Sequence, residues 1–358
     1  MAVELELTEE LRKLYADVDA KHMAPLWNVT AQLLPREPAS KAIPWLWRRD
    51  DYWPLCQRAG ELVPIERGGE RRVLAFINPG LEGKYATTHT IWAAVQYLQP
   101  GEIAPAHRHT PNAIRFIIEG SRAFTTVNGD KCFMERGDLV LTPAWTWHDH
   151  GHEGSEPMIW MDGLDLPLVG DLEGVFFEPF KGDRQPPLGI NASERRHGLG
   201  QLRPAISAAP EAYPGLLNYK WSQTATRLQT LGDEDATPYD DIALEYVNPH
   251  TGGPVLPTLA CWIQRIRPGI HTRARRQVAS KVYHVFEGEG WSVINGRRFN
   301  WKQGDFFCVP TWSWHEHANT SSHDAVLFSV QDTPVFQAFG LYREEALQSG
   351  DGRQITAR

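Results

Sequence analysis

The sequence writes one pattern twice, at an offset of about 167 residues, and the fold has to accommodate both copies. The run WAAVQYLQPG, ending at Gly101, returns as ACWIQRIRPG, ending at Gly269. Ile118-Glu-Gly120 returns as Phe286-Glu-Gly288, and Val127-Asn-Gly129 as Ile294-Asn-Gly296. GDLVLTPAWTWH, ending at His148, returns as GDFFCVPTWSWH, ending at His315. A repeat of this kind means one structural unit built twice. Within each copy, short runs of apolar and aromatic residues are broken by Gly, Pro and Asn, and Asn-Gly is a strong two-residue hairpin signal. The expected fold is mainly β: two jelly-roll β-barrels in one chain, preceded by an N-terminal helical segment.

Thr8 reads as an N-cap, with Glu9 and Glu10 in the first turn, where negative charge suits the helix dipole. Apolar residues then recur at helical spacing to about residue 22, and a second periodic piece, Leu26 to Leu34, stops at Pro35. Residues 35–59 hold Trp45, Trp47 and Trp53 and read as an irregular cap over the first barrel. The chain divides into a helical and Trp-rich cap (1–59), a first barrel (60–165), a looser connection (166–240), a second barrel (241–345) and a tail (346–358).

Composition narrows the function. With 42% hydrophobic and 22% charged residues, the 358-residue chain is globular rather than disordered. A net charge of -8 without a long basic run argues against nucleic acid or an anionic membrane as partner. Cys56, Cys132, Cys261 and Cys308 form no C-x-x-C pair and suit buried thiols in a reducing compartment. No secretory signal or membrane-length apolar run is visible, so the expected location is cytoplasmic.

The copies differ where chemistry would reside. His107 and His109 stand at i and i+2 on a strand and project to one face, where His148 could meet them as a third ligand. In the second copy Arg275 and Gln277 hold the equivalent places, and arginine is a poor ligand because it keeps its proton. His315 is expected to be structural, leaving one metal site per chain. Three imidazoles favour Fe, Zn, Cu or Ni over Mg or Ca. Such a site suits dioxygen chemistry at Fe(II) or zinc-hydroxide hydrolysis, and the ligand set alone does not choose between them.

These stretches resemble the paired cupin motifs, G-x5-H-x-H followed by G-x5-P-x-G-x2-H, with two departures. The glutamate often found after the second histidine is absent, since Ala113 and Ile114 stand there, and Trp145 replaces the glycine of the second motif. A longer likeness covers nearly the whole chain. Gly60-Glu-Leu-Val-Pro, Arg67-Gly-Gly-Glu-Arg71-Arg72, Asn78-Pro-Gly80, Trp92-Ala-Ala-Val-Gln, the stretch Pro105 to Phe116, Leu141 to Trp145 and Asp162-Gly-Leu-Asp165 look like gentisate 1,2-dioxygenase. Relatives in that family act on salicylate and 1-hydroxy-2-naphthoate.

The resemblance implies one Fe(II) per chain, held by His107, His109 and His148 in the first cupin. The substrates would be a small aromatic hydroxy acid and O2. The ring would open between its carboxyl- and hydroxyl-bearing carbons, and gentisate would give maleylpyruvate. By matching positions, Arg67, Arg71 and Arg115 would clamp substrate oxygens, Trp92 would wall the ring, and His150 with Asp162 would form a proton relay. Ala94, two residues beyond Trp92 on the same expected face, would help to set which ring fits. The family likeness also implies a homo-oligomer, a tetramer. The competing readings are a non-redox bicupin, isomerase or zinc hydrolase, and a binding or storage bicupin, against which the three intact ligands count.

Overall fold

In the computed structural model, described for residues 8–64, 72–182, 184–199 and 215–356, the chain forms two compact units, residues 1–39 and 40–358. The first holds helices Glu9–Asp19 and Leu26–Leu33. Thr8 caps the earlier one, its hydroxyl accepting from the Leu11 amide at 3.2 Å. Helix Glu9–Asp19 ends before residue 22, where His22 turns to a φ of 55°.

The second unit contains the duplication. In the first half, a six-stranded sheet runs in the order Asn218–Tyr219, Leu139–Thr142, Ala113–Glu119, Met158–Leu164, Trp92–Leu98, Val73–Ala75. A second sheet contains Ile103–His109 and His148–His152, side by side and antiparallel. The second half repeats this plan: Lys281–Glu287, Ala325–Gln331 and Ala260–Ile266 are central in one sheet, and Arg275–Gln277 pairs with His315–Ala318 in the other.

Alternation along the central strands sorts side chains between two cores. Ile114, Phe116, Val95 and Ile159 face the other half and meet Ile263, Phe286, Phe328 and Val330 in one continuous core. Phe116 stacks on Phe328 with ring centroids 4.0 Å apart. Residues of opposite parity turn inward, where Leu98, Ile117, Met158 and Trp160 form a separate buried cluster in the first half. Arg115, Asp162 and Trp92 share that inward parity. A sheet buried on both faces explains the near-continuous apolar runs of these strands.

The Trp-rich stretch is not an irregular cap over the first barrel. Trp45–Trp47 is an edge strand of the second half, paired with Phe306–Val309, and Arg49–Leu62 is a helix that carries Pro54 in its second turn, where proline removes one backbone hydrogen bond. The connection is likewise built in: Phe177–Pro179 pairs with the strand bearing His107 and His109, and Asn218–Tyr219 completes the first half's large sheet. All four cysteines are buried and unpaired. Among the described residues, no helix is long and apolar enough to cross a membrane.

Candidate active site

His107 and His109 stand on one face of Ile103–His109, and His148 opens the neighbouring strand directly across from His107. Their candidate ligand nitrogens lie within 4.8 Å of one another, and among the described residues no other group of three metal-ligating side chains comes together. Each ring is oriented by a backbone carbonyl. The Nδ1 atoms of His107, His109 and His148 lie 2.8, 2.8 and 2.9 Å from the carbonyl oxygens of Pro105, Pro111 and Thr146. A carbonyl can only accept, so each Nδ1 carries the proton and each Nε2 keeps its lone pair. This is the arrangement of a metal-ligating histidine. His148 Nε2 is buried without a hydrogen-bond partner. Burial, then the nearby His107 and Arg115, holds the His148 imidazole well below its usual range and hence neutral. The donor set fits a divalent metal ion.

A cavity of about 320 Å³ opens over these rings. Arg115, His150, Asp162 and Gln96 supply its polar wall, and Trp92, Val73, Leu164, Leu166, Val175 and Phe177 its apolar one. Arg115 is buried, with Nε 3.2 Å from Asp162 Oδ1 in an ion pair and Nη1 donating to the Thr142 hydroxyl. Burial pulls the guanidinium down from its ordinary pKa and Asp162 opposes that, so it stays charged. Trp160 Nε1 also donates to Asp162 Oδ1, at 3.2 Å. His150 Nδ1 lies 2.9 Å from Thr125 Oγ1, which donates to Met134 Sδ. In the tautomer in which Thr125 accepts from Nδ1–H, Nε2 is the basic nitrogen of His150. A hydrophobic slot with a fixed cation, Arg115, beside a metal-ligating triad is built to orient a small planar acid.

Residues 94–164 and 262–331 each match the cupin domain family. The chain is 43% identical to 5-aminosalicylate 1,2-dioxygenase of a Comamonas species over 97% of its length and 93% of the relative's. It is 40% identical to gentisate 1,2-dioxygenase of a Streptomyces species, covering 93% and 94% of the two chains. The crystal structure of salicylate 1,2-dioxygenase from Pseudoaminobacter salicylatoxidans, in adducts with gentisate, superposes with a TM-score of 0.89. It is 40% identical, with 96% of each chain covered. The chain belongs to the gentisate 1,2-dioxygenase family.

The protein is thus a ring-cleaving dioxygenase, and its cavity gathers most of the residues singled out in the sequence. Trp92, Arg115, His150 and Asp162 line it together with His107 and His109. Ala94 lies between Trp92 and Gln96 on the inward face, directly across from Asp162, and is fully buried. Arg67 and Arg71 fall outside the described residues. Sequence reasoning missed Gln96, which strand alternation from Trp92 would have found. It also missed Thr142, Val175 and Phe177. Phe177 stacks on His107 at 5.3 Å, carried there by a strand that Arg108 anchors through Glu178 at 2.6 Å. No local pattern encodes that pairing.

In the second cupin the equivalent places hold other interactions. Arg275 pairs with Asp240 at 2.6 Å, and Gln277 Nε2 donates to Tyr342 at 2.7 Å and Glu344 at 2.8 Å. His315 Nδ1 keeps the carbonyl contact, to Ser313 at 3.0 Å. Stacked Tyr283 and Phe307, 4.7 Å apart, occupy the interior where the first cupin has Arg115 and its cavity.

Proposed function

We propose that this dioxygenase opens the ring of gentisate between its carboxyl- and hydroxyl-bearing carbons to give maleylpyruvate, using Fe(II) held by His107, His109 and His148. The carrying observation is a three-histidine centre with all Nε2 atoms basic, sharing one small cavity with a buried arginine. Bound there, Fe(II) would activate dioxygen toward the hydroxy acid. Arg115, with Asp162 and Thr142 fixing its other donors, aims its guanidinium at the carboxylate. Trp92 and Leu164 confine the ring, and Ala94 behind them limits its depth. His150, through Nε2, accepts the proton of the ring hydroxyl. Arg67 and Arg71 complete the clamp on substrate oxygens. In this reading residues 60–165 carry the chemistry, residues 241–345 carry none, and the enzyme works as a cytoplasmic homotetramer.

A second reading, 5-aminosalicylate as substrate, is favoured by the 43% identity to an enzyme of that name. The test is oxygen uptake after anaerobic Fe(II) loading, with gentisate, 5-aminosalicylate, salicylate and 1-hydroxy-2-naphthoate in parallel and a zinc-loaded sample as control. Uptake with gentisate and a ring-fission product is expected. Uptake with 5-aminosalicylate alone selects the second reading, and uptake with none of the four overturns both.

A further inference from the structure

Each half ends its last central strand on an aspartate that reaches into the other half. Met158–Leu164 is followed by Asp165, and Ala325–Gln331 by Asp332. Both are 1% exposed. Asp165 accepts from the Asn112 amide at 2.7 Å within its own half, and from the Thr258 hydroxyl of the other. Asp332 accepts from the Ser280 amide at 2.6 Å within its own half, and from the Thr90 hydroxyl of the other. Thr90 and Thr258 occupy the same place in the two repeats, each two residues before a central strand.

The two contacts close on one rung of the cavity wall. Trp92, Leu164 and Ala113 lie side by side across three strands, followed by Thr142. Thr90 precedes Trp92 by two residues, Asp165 follows Leu164, and Asn112 precedes Ala113. Asn112 Oδ1 also accepts from the Ala144 amide at 3.0 Å, and Thr142 takes the Arg115 hydrogen bond. We propose that Thr90 and Asp332 are positioning residues: through them the metal-free cupin fixes where Trp92 and its rung stand over the substrate. This would give the second cupin a role in the reaction without a metal or a ligand of its own. A buried carboxylate is a demanding neighbour, since losing one partner leaves the other uncompensated. Burial already pushes the Asp332 carboxyl up to about 6. The contact therefore holds Thr90 in one place. A wall displaced by an ångström can lower turnover efficiency by up to about 100-fold.

The inference rests on the cavity being the substrate site, and the wild-type enzyme tests that first by cleaving a hydroxybenzoate. Thr90→Val keeps the shape and removes the hydroxyl, whereas Thr90→Ser keeps the hydroxyl. With the preferred substrate, T90V should raise KM about 10-fold with kcat within about twofold. Metal content and unfolding midpoint should stay near wild type, and T90S should restore KM. Asp332→Ala should raise KM similarly, and the T90V/D332A double variant should be no worse than D332A, because both remove one interaction. An unchanged KM in T90V overturns the proposal. So does a KM that rises equally in T90V and T90S, or only in step with lost metal or lost fold. A wild-type enzyme that cleaves no hydroxybenzoate would instead remove the substrate reading beneath it.

Discussion

A carbonyl behind an imidazole ring would mean little on one histidine, but on His107, His109 and His148 together it fixes three Nε2 lone pairs toward one point. His315 has an equivalent carbonyl partner in Ser313 yet faces Arg275 and Lys281, so that contact alone does not make a ligand. His107→Ala should therefore abolish metal binding, while His315→Ala should leave metal content near wild type. Equal loss in both, measured by elemental analysis, would refute a single centre. Arg115→Ala should weaken substrate binding by roughly 1.5–3 kcal/mol, the range for a hydrogen bond to a charged group. An unchanged dissociation constant would mean that the guanidinium only supports the wall. The triad was legible because i and i+2 on a strand is a rigid rule. Trp145 was legible only as an anomaly in a motif that wants glycine. The backbone keeps the glycine conformation, with φ 60° at Trp145 and 58° at Trp312. Each tryptophan is held there by its own amide, donating to His109 or Gln277, and by an arginine 4.3 Å over its ring.

Elements with strong punctuation were readable, and those defined by a distant partner were not. Asn-Gly and Gly-Asp marked the hairpins and turns of both halves, because a positive φ admits few residues. The edge strands Trp45–Trp47, Phe177–Pro179 and Asn218–Tyr219 left no such mark, since pairing supplies their order. The motif glycines bear a constraint from outside their own barrel. Gly137 and Gly304 have φ of 87° and 92°, and a Cβ would lie 2.5 Å from Trp221 and 2.2 Å from Arg49. Those two residues begin helices that the adjacent aspartates receive: Asp138 accepts from the Trp221 amide at 2.9 Å, and Asp305 from the Arg49 amide at 2.8 Å. Each turn thus docks a helix that the barrel does not itself encode. Gly137→Ala should destabilise the fold by about 1–3 kcal/mol, through backbone strain and the contact with Trp221. A denaturant midpoint equal to wild type would show that the helix start moves aside freely.

At the scale of the molecule, duplication has produced one cupin with a three-histidine cluster and one that, among the described residues, has none, the two joined through a shared core and buried polar groups. That the halves share a core was not legible, because alternation shows that a strand has two faces but not what covers each. The second cupin's buried histidines have a consequence for stability. Burial, with Arg136 for His284 and Lys281 for His317 as the next causes, lowers both imidazoles to about 3 from an ordinary 6.5. Folded pKa values below the unfolded ones mean stability that is full above pH 6.5 and is lost as pH falls toward 3, where the unfolded chain takes up protons that the folded one refuses. Asp332 acts in the opposite sense: raised to about 6 from 3.8, its contribution is present below the lower value and lost as pH rises through the higher. Each histidine should therefore add roughly 2 kcal/mol of lost stability between about pH 6.5 and 5. His317→Asn retains a polar partner for Ser292, which lies 2.7 Å from His317 Nδ1, and leaves Asp332 and the metal ligands untouched. Its unfolding free energy, measured by denaturant titration at several pH values, should fall less steeply with acid than that of wild type, by about one proton's worth of slope. Identical slopes would mean that the His317 site opens to water and protonates without unfolding, and that the second cupin is a looser body than its packing implies.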